Sequence, residues 1–333
     1  MKRPFFVSFY DVLPFAVFGF FVLCFALDPL SPFFTHNLGD PDNYMRLNEV
    51  IAWLQGQGWY DLSVPRMSPG AHAVLHWSRL IDVPIALVAL SFIPHFGVSH
   101  AVYISALIVP FIWFAVLLAL LPALAGCFVE SSCAKLSCVL LLFLPLLLAC
   151  FGPGRVDHHG VQLLIAGFSL LSLMQIILGN RGRFFAILSA LALACGFWIG
   201  AEILPWAMTF VFCLASAAAM QKKTVAQNAA LFGICFAAFT LALIPVALPY
   251  AEFSSRALSW FSPAYAILAA LSGAVFVSGW AFCNKVENKI ARLSLYALFG
   301  VGAGIAFLFF VPNVLRGAFG DYDSFNATIA LDG

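Results

Sequence analysis

Long apolar runs separated by short polar stretches dominate the chain. Runs near 11–27, 101–127, 138–151, 161–179, 184–200, 203–220, 225–249, 261–282 and 291–312 approach the roughly 20 residues a helix needs to cross a hydrocarbon core. They predict about nine transmembrane helices, the fifth and sixth parted only around Gly200, Glu202 and Pro205. The stretch 82–95 is apolar but short, opens with Asp82 and Pro84, and ends at Pro94-His95. It is expected to lie flat at the outer interface. Residues 28–100 then form a first external loop, 152–160 a second, and 313–333 an external tail, where the chain is either short or truncated. Within the first loop Tyr44, Leu47, Val50, Ile51 and Leu54 recur at helical spacing, which predicts an amphipathic helix. The expected fold is all-α, a polytopic integral membrane protein with a single transmembrane domain over 1–333 and no soluble domain.

Composition supports that class and removes others. Of 333 residues, 63% are hydrophobic and only 9% charged, where a soluble domain carries about a quarter. Disorder is excluded by the same balance, and a nucleic-acid partner by a net charge of only +1. The charges sort by side. Met1-Lys2-Arg3 precedes the first span without a small-residue cleavage site, so the N-terminus is read as a cytoplasmic anchor. Ten cations then fall inside, including every lysine; the six outside are Arg46, Arg66, Arg79, Arg155, Arg256 and Arg316. Arginine is the cation suited to bidentate phosphate binding. Most acids and all seven histidines fall on that outer side, read as the periplasmic face of a bacterial inner membrane. The nine cysteines lie in spans or inner loops, with no disulfide framework and no paired zinc motif.

Four polar constellations stand out on that face. Gly39-Asp40-Pro41-Asp42 places two carboxylates in one turn, able to present oxygen to a hard divalent cation or simply to cap the following helix. Pro153-Gly154-Arg155-Val156-Asp157-His158-His159-Gly160 offers carboxylate and imidazole donors from one bent loop, the alternative being a polar reverse turn. Glu202, in Trp198-Ile-Gly200-Ala-Glu202, is an acid inside a nearly continuous apolar run, for which a functional and a structural role are both open. Glu252, Arg256 and Trp260 lie in a later outer loop, where an ordinary solvated loop is the alternative reading.

At these residues the chain resembles the membrane-embedded catalytic subunit of oligosaccharyltransferases, in the C-superfamily (GT-C) of polyprenyl-phosphate-dependent glycosyltransferases. Asp40-Pro41 with Arg46, Trp59-Tyr60, Arg66, Pro69-Gly70 and His76-Trp77 follow the order of that family's first external loop. Asp157-His158-His159 matches its Asp-x-His motif, and Trp198, Gly200 and Pro205 its Trp-x-Gly helix end. The family's Trp-Trp-Asp motif has no match in these residues. The resemblance covers about the first 210 residues. It implies Mg or Mn held by Asp40, Asp157 and His159, with Asp42 an additional acid. Glu252 stands nearest to the family's acceptor-contacting glutamate.

The expected activity is transfer of a sugar or oligosaccharide from a polyprenyl-(di)phosphate donor to an unidentified acceptor at the outer face. Asp40, Asp42 and Glu202 are the candidate catalytic acids. Arg46, Arg66, Arg155, His158, Trp198, Glu252 and Arg256 are candidate substrate contacts. Membrane lipid is the other expected partner. Two rival readings remain: a transporter or flippase for a lipid-linked or anionic solute, and an inactive truncated GT-C relative.

Overall fold

The computed structural model describes residues 9–22, 24, 32–64, 74–75, 77–141, 143–178, 181–221, 223–283 and 285–316. These residues are overwhelmingly helical, with one isolated antiparallel bridge between Ser63 and Val74. The chain forms two compact units, Met1–Leu171 and Ser172–Gly333.

The first unit contains α1 (Phe9–Phe21), α2 (Pro32–Thr35), α3 (Pro41–Leu54), α4 (Arg79–Leu90), α5 (Ile93–Ala125), α6 (Ser131–Ala134), α7 (Leu136–Leu141), α8 (Pro145–Ala149) and most of α9 (His159–Leu178). Helix α5 is its spine, packed against α1, α3, α4 and α7. Gly97, at φ 74° and ψ 169°, breaks the helical backbone near its start, a conformation that glycine adopts without steric cost. Helix α4 has 12 residues, about 18 Å at 1.5 Å per residue, well short of a hydrocarbon core about 30 Å thick. It buries Ile81, Ile85, Ala86 and Ala89 and is not among the helices long enough to cross.

The second unit contains α10 (Gly182–Ile199), a 3-10 turn (Ala201–Ile203), α11 (Leu204–Met220), α12 (Lys223–Ala247), α13 (Pro263–Cys283) and α14 (Lys289–Phe310). Helices α12 and α13 approach closely at Gly233 and Gly273: a Cβ on Gly233 would lie 2.7 Å from the Gly273 Cα. Small residues at such a crossing allow backbones to meet, and van der Waals packing then holds them. Phe197, Phe232, Phe236, Tyr265 and Phe276 interlock across α10, α12 and α13.

Seven helices are long and apolar enough to cross a membrane: α5, α9, α10, the segment Ala201–Met220, α12, α13 and α14. The expectation of nine is not met among the described residues, and each missing span has a visible cause. The run at 11–27 shows a helix of 13 residues, and residues 25–31 lie outside the described set. The run at 138–151 is divided between α7 and α8, six and five residues long, with Pro145 opening α8. Proline lacks an amide hydrogen and its ring clashes with the preceding turn, so the apolar run does not continue as one helix.

An interior of charge fastens α3 to α4. Arg46 is 1% exposed and Asp82 0%. Arg46 Nη1 donates to Asp82 Oδ1 at 3.1 Å and to the Ser78 carbonyl at 3.4 Å. Arg79 Nη1 donates to Asp82 Oδ2 at 3.1 Å, and its other nitrogens donate to the carbonyls of Trp59 and Asp61. The two guanidinium groups sit over the rings of Trp77 and Trp53 at 4.5 and 5.5 Å. Glu49 is also buried, 3.8 Å from Arg46, with neither carboxylate oxygen hydrogen-bonded. Burial, and then the charge of Asp82, push its carboxyl up to about 8 against the pull of Arg46 and Arg79.

Removing Asp82 leaves two buried guanidinium groups short of their counter-charge. Asp82→Ala is therefore expected to cost about 3–5 kcal/mol, measured as a fall in the unfolding midpoint in detergent. Glu49 contributes a pH dependence of defined sign. Its folded pKa lies above its ordinary value of 4.5, so its contribution is full below about pH 4.5 and is lost as pH rises towards about 8. Glu49→Gln is expected to flatten the stability profile across that window.

Candidate active site

The first half of the site is the turn entering α3. Asp40 is the N-cap, its Oδ1 accepting from the Asp42 amide at 3.1 Å, and Pro41 supplies the first helical residue. The capping role expected as one alternative is thus present, and it uses one carboxylate oxygen. The turn itself is tied by Asn37 and Tyr44. Asn37 Oδ1 accepts from Gly39 N at 2.8 Å and from the Tyr44 hydroxyl at 3.0 Å, and that hydroxyl oxygen accepts from Leu38 N at 2.9 Å. Gly39 has φ 70°.

The second half is the loop from Gly152 to His159. Gly154, at φ 79°, donates its amide to the Ala106 carbonyl on α5 at 3.0 Å. A Cβ there would meet Leu38 at 2.7 Å and Pro32 at 3.2 Å, so the loop rests directly against the first turn. The buried tie between the halves is Asn43, fully buried on α3. Its Oδ1 accepts from the amides of Val156 at 3.0 Å and Asp157 at 3.2 Å. Arg155 completes the junction, with Nη1 2.9 Å from Asp40 Oδ2, across 115 residues of sequence.

Asp157, His158 and His159 present ligand atoms that all lie within 4.8 Å of one another. Asp157 accepts from its neighbour's amide and pairs with the His158 ring, while His159 Nε2 lies 3.3 Å from its other oxygen. Burial opposes the charge on Asp157, but the hydrogen bond and charge of His158, with His159 adding, bring its carboxyl down to about 2. Asp42 shifts the opposite way, raised by burial and by the charges of Asp157 and Asp40. The charges of Asp157 and Asp40 thus both reach Asp42, linking the two loops electrostatically. One carboxylate and two imidazoles form a mixed oxygen and nitrogen donor set that fits a divalent ion of intermediate hardness.

The expected ligands were Asp40, Asp157 and His159. The compact set here is Asp157, His158 and His159, with Asp40 engaged by Arg155. His158, expected as a substrate contact, lies in the group that could hold an ion. Arg46 lies in the buried charge cluster on α3 and α4, with its guanidinium committed to Asp82. Asp82, Arg79 and Glu49 carry that cluster and were not singled out as a group from the sequence. Arg66, Pro69-Gly70 and His76 lie outside the described residues. Trp198, Glu202, Glu252 and Arg256 belong to the second unit. Trp198 is buried and Glu202 is exposed on its 3-10 turn. Arg256 donates to the carbonyls of Ser254 and Ser255 in its own loop.

No protein-family model matches the chain, and no curated protein sequence does. Solved structures do match in fold. The archaeal oligosaccharyltransferase AglB from Archaeoglobus fulgidus, in complex with an inhibitory peptide and a dolichol-phosphate, superposes with a TM-score of 0.66 at 15% identity, over 90% of this chain and 37% of that one. The Archaeoglobus fulgidus oligosaccharyltransferase complexed with Zn and sulfate gives 0.65 at 14%, over 89% and 40%. The same enzyme tethered by a disulfide to an acceptor peptide containing the NVT sequon gives 0.66 at 16%, over 91% and 38%. The chain spans about two fifths of the length of those structures. It has an oligosaccharyltransferase-like membrane fold.

Proposed function

We propose that this chain is a membrane glycosyltransferase of the GT-C type, moving a sugar or oligosaccharide from a polyprenyl-(di)phosphate donor at the periplasmic face. One observation carries the reading. In a chain with an oligosaccharyltransferase-like fold, two loops distant in sequence bring Asp40, Asp42, Asp157, His158 and His159 to one place.

A divalent cation held by Asp157, His158 and His159 would neutralise charge developing on the leaving phosphate. Two imidazoles in the set favour manganese over magnesium. Arg155, 42% exposed at the side chain, is the guanidinium placed to bind phosphate oxygens. Asp42, on the turn shared with Asp40, is the carboxylate placed to take the acceptor's proton. Phe20, Phe33, Leu107, Phe111 and Ile112 line an open apolar groove of about 550 Å³. Phe33 lies on α2, just ahead of the Asp40 turn, so this groove suits the donor's isoprenoid tail.

Asp157→Ala is expected to abolish divalent-dependent transfer from a polyprenyl-diphosphate sugar in reconstituted vesicles, a loss of about a hundredfold or more. Full activity in that variant would overturn the assignment.

A further inference from the structure

The pair between Arg155 and Asp40 has a role that the donor set by itself does not supply. Both oxygens of Asp40 are already engaged: Oδ1 accepts from the Asp42 amide, and Oδ2 is 2.9 Å from Arg155 Nη1. For Asp40 to join Asp157, His158 and His159 around a cation, Oδ2 is the oxygen that the helix cap leaves unused, and Arg155 covers it. A guanidinium and a divalent ion cannot share one carboxylate oxygen without strong repulsion. The pair is accessible, with side chains 42% and 35% exposed, in contrast to the sealed Arg46 and Asp82. An exposed pair of this kind is worth at most about 1 kcal/mol, so it is weak enough to exchange. Arg155 is also anchored two residues before Asp157, whose amide is held by Asn43. Its guanidinium can therefore leave Asp40 without moving the donor loop.

We propose that Arg155 is an exchangeable counter-charge: it closes Asp40 to cations until a phosphate oxyanion draws the guanidinium away. This rests on the reading of Asp157, His158 and His159 as the cation site. Phosphate binding and cation binding then reinforce each other, and by linkage each strengthens the other by the same factor. Arg155 acts here as a positioning residue for Asp40. The ligand chemistry is a phosphate oxyanion, borne by a lipid or free in solution.

The test is manganese binding to the purified full chain in nanodiscs, followed by the electron paramagnetic resonance of free Mn²⁺. Arg155→Gln is expected to tighten binding roughly three- to fivefold in the absence of phosphate, the equivalent of the exposed pair. In an Asp40→Asn background the same change is expected to have no effect. Equal tightening in both backgrounds would show a general loss of positive charge and overturn the proposal, as would no tightening with Asp40 present. In the wild-type chain, polyprenyl phosphate in the nanodisc or inorganic phosphate in solution should tighten manganese binding, and in Arg155→Gln neither should. The two additions distinguish the lipid-borne from the free source, and failure of both overturns the coupling. Asp157→Asn separates this proposal from the reading beneath it. If that variant binds manganese as the wild type does, the cation site itself is misplaced. If it loses binding while Arg155→Gln behaves as the wild type, only the exchange fails.

Discussion

The candidate site depends on the seating of the 153–159 loop against α3, where one side-chain amide makes two of the contacts. Asn43 Oδ1 satisfies two backbone amides on a loop more than a hundred residues away, and Val156, which carries one of them, is fully buried. A buried amide left without an acceptor is costly, so the loop has one favoured seat on α3. Asn43 is itself held in place by the next turn of the same helix, where Arg46 is locked to Asp82 on α4. The order of dependence runs from α4 to α3, from α3 to the 153–159 loop, and from that loop to the ligand triad. Charges that do no chemistry thereby set the position of charges that can.

Much of this was legible in the sequence, for definable reasons. Apolar runs of about 20 residues mark membrane helices whatever their detailed order, and seven were realised. The grouping of Asp40 with Asp157 is an expectation of the family resemblance, and the structure joins the two loops through Arg155 and Asn43. The failures share one cause, the averaging of hydropathy over a window. At 138–151 the average conceals Pro145, whose effect on the backbone is local and decisive. At 46–82 it conceals a charge cluster whose members lie 36 residues apart and pair only after folding. Arg46 is a candidate substrate contact in the sequence because outer-side arginines suit phosphate; here two tryptophan rings and an aspartate enclose it and its neighbour Arg79.

The same averaging accounts for a fold that persists at 14–16% identity. In a chain that is 63% hydrophobic, Leu, Phe, Ala and Val satisfy a lipid-facing position about equally well, so most positions carry little sequence memory. Helix α14 is an example, with Leu298, Val301, Ile305 and Phe309 all exposed. Constraint concentrates where backbones touch, as at Gly233 and Gly273, or where a loop needs left-handed backbone, as at Gly154. Such positions are too few and too scattered to make a long motif, yet they suffice to fix how helices cross.

The burial of Asp82 also bears on what holds α4 against its neighbour. Helix α4 is apolar enough to be mistaken for a span, yet at its first turn it carries a carboxylate that is 0% exposed. Alone in hydrocarbon, that charge would cost about 2.5–3.5 kcal/mol at a helix centre. Its own helix supplies one counter-charge, Arg79, and α3 supplies the second, Arg46. An α4 packed on α3 therefore keeps both oxygens of that carboxylate paired, which α4 by itself does not.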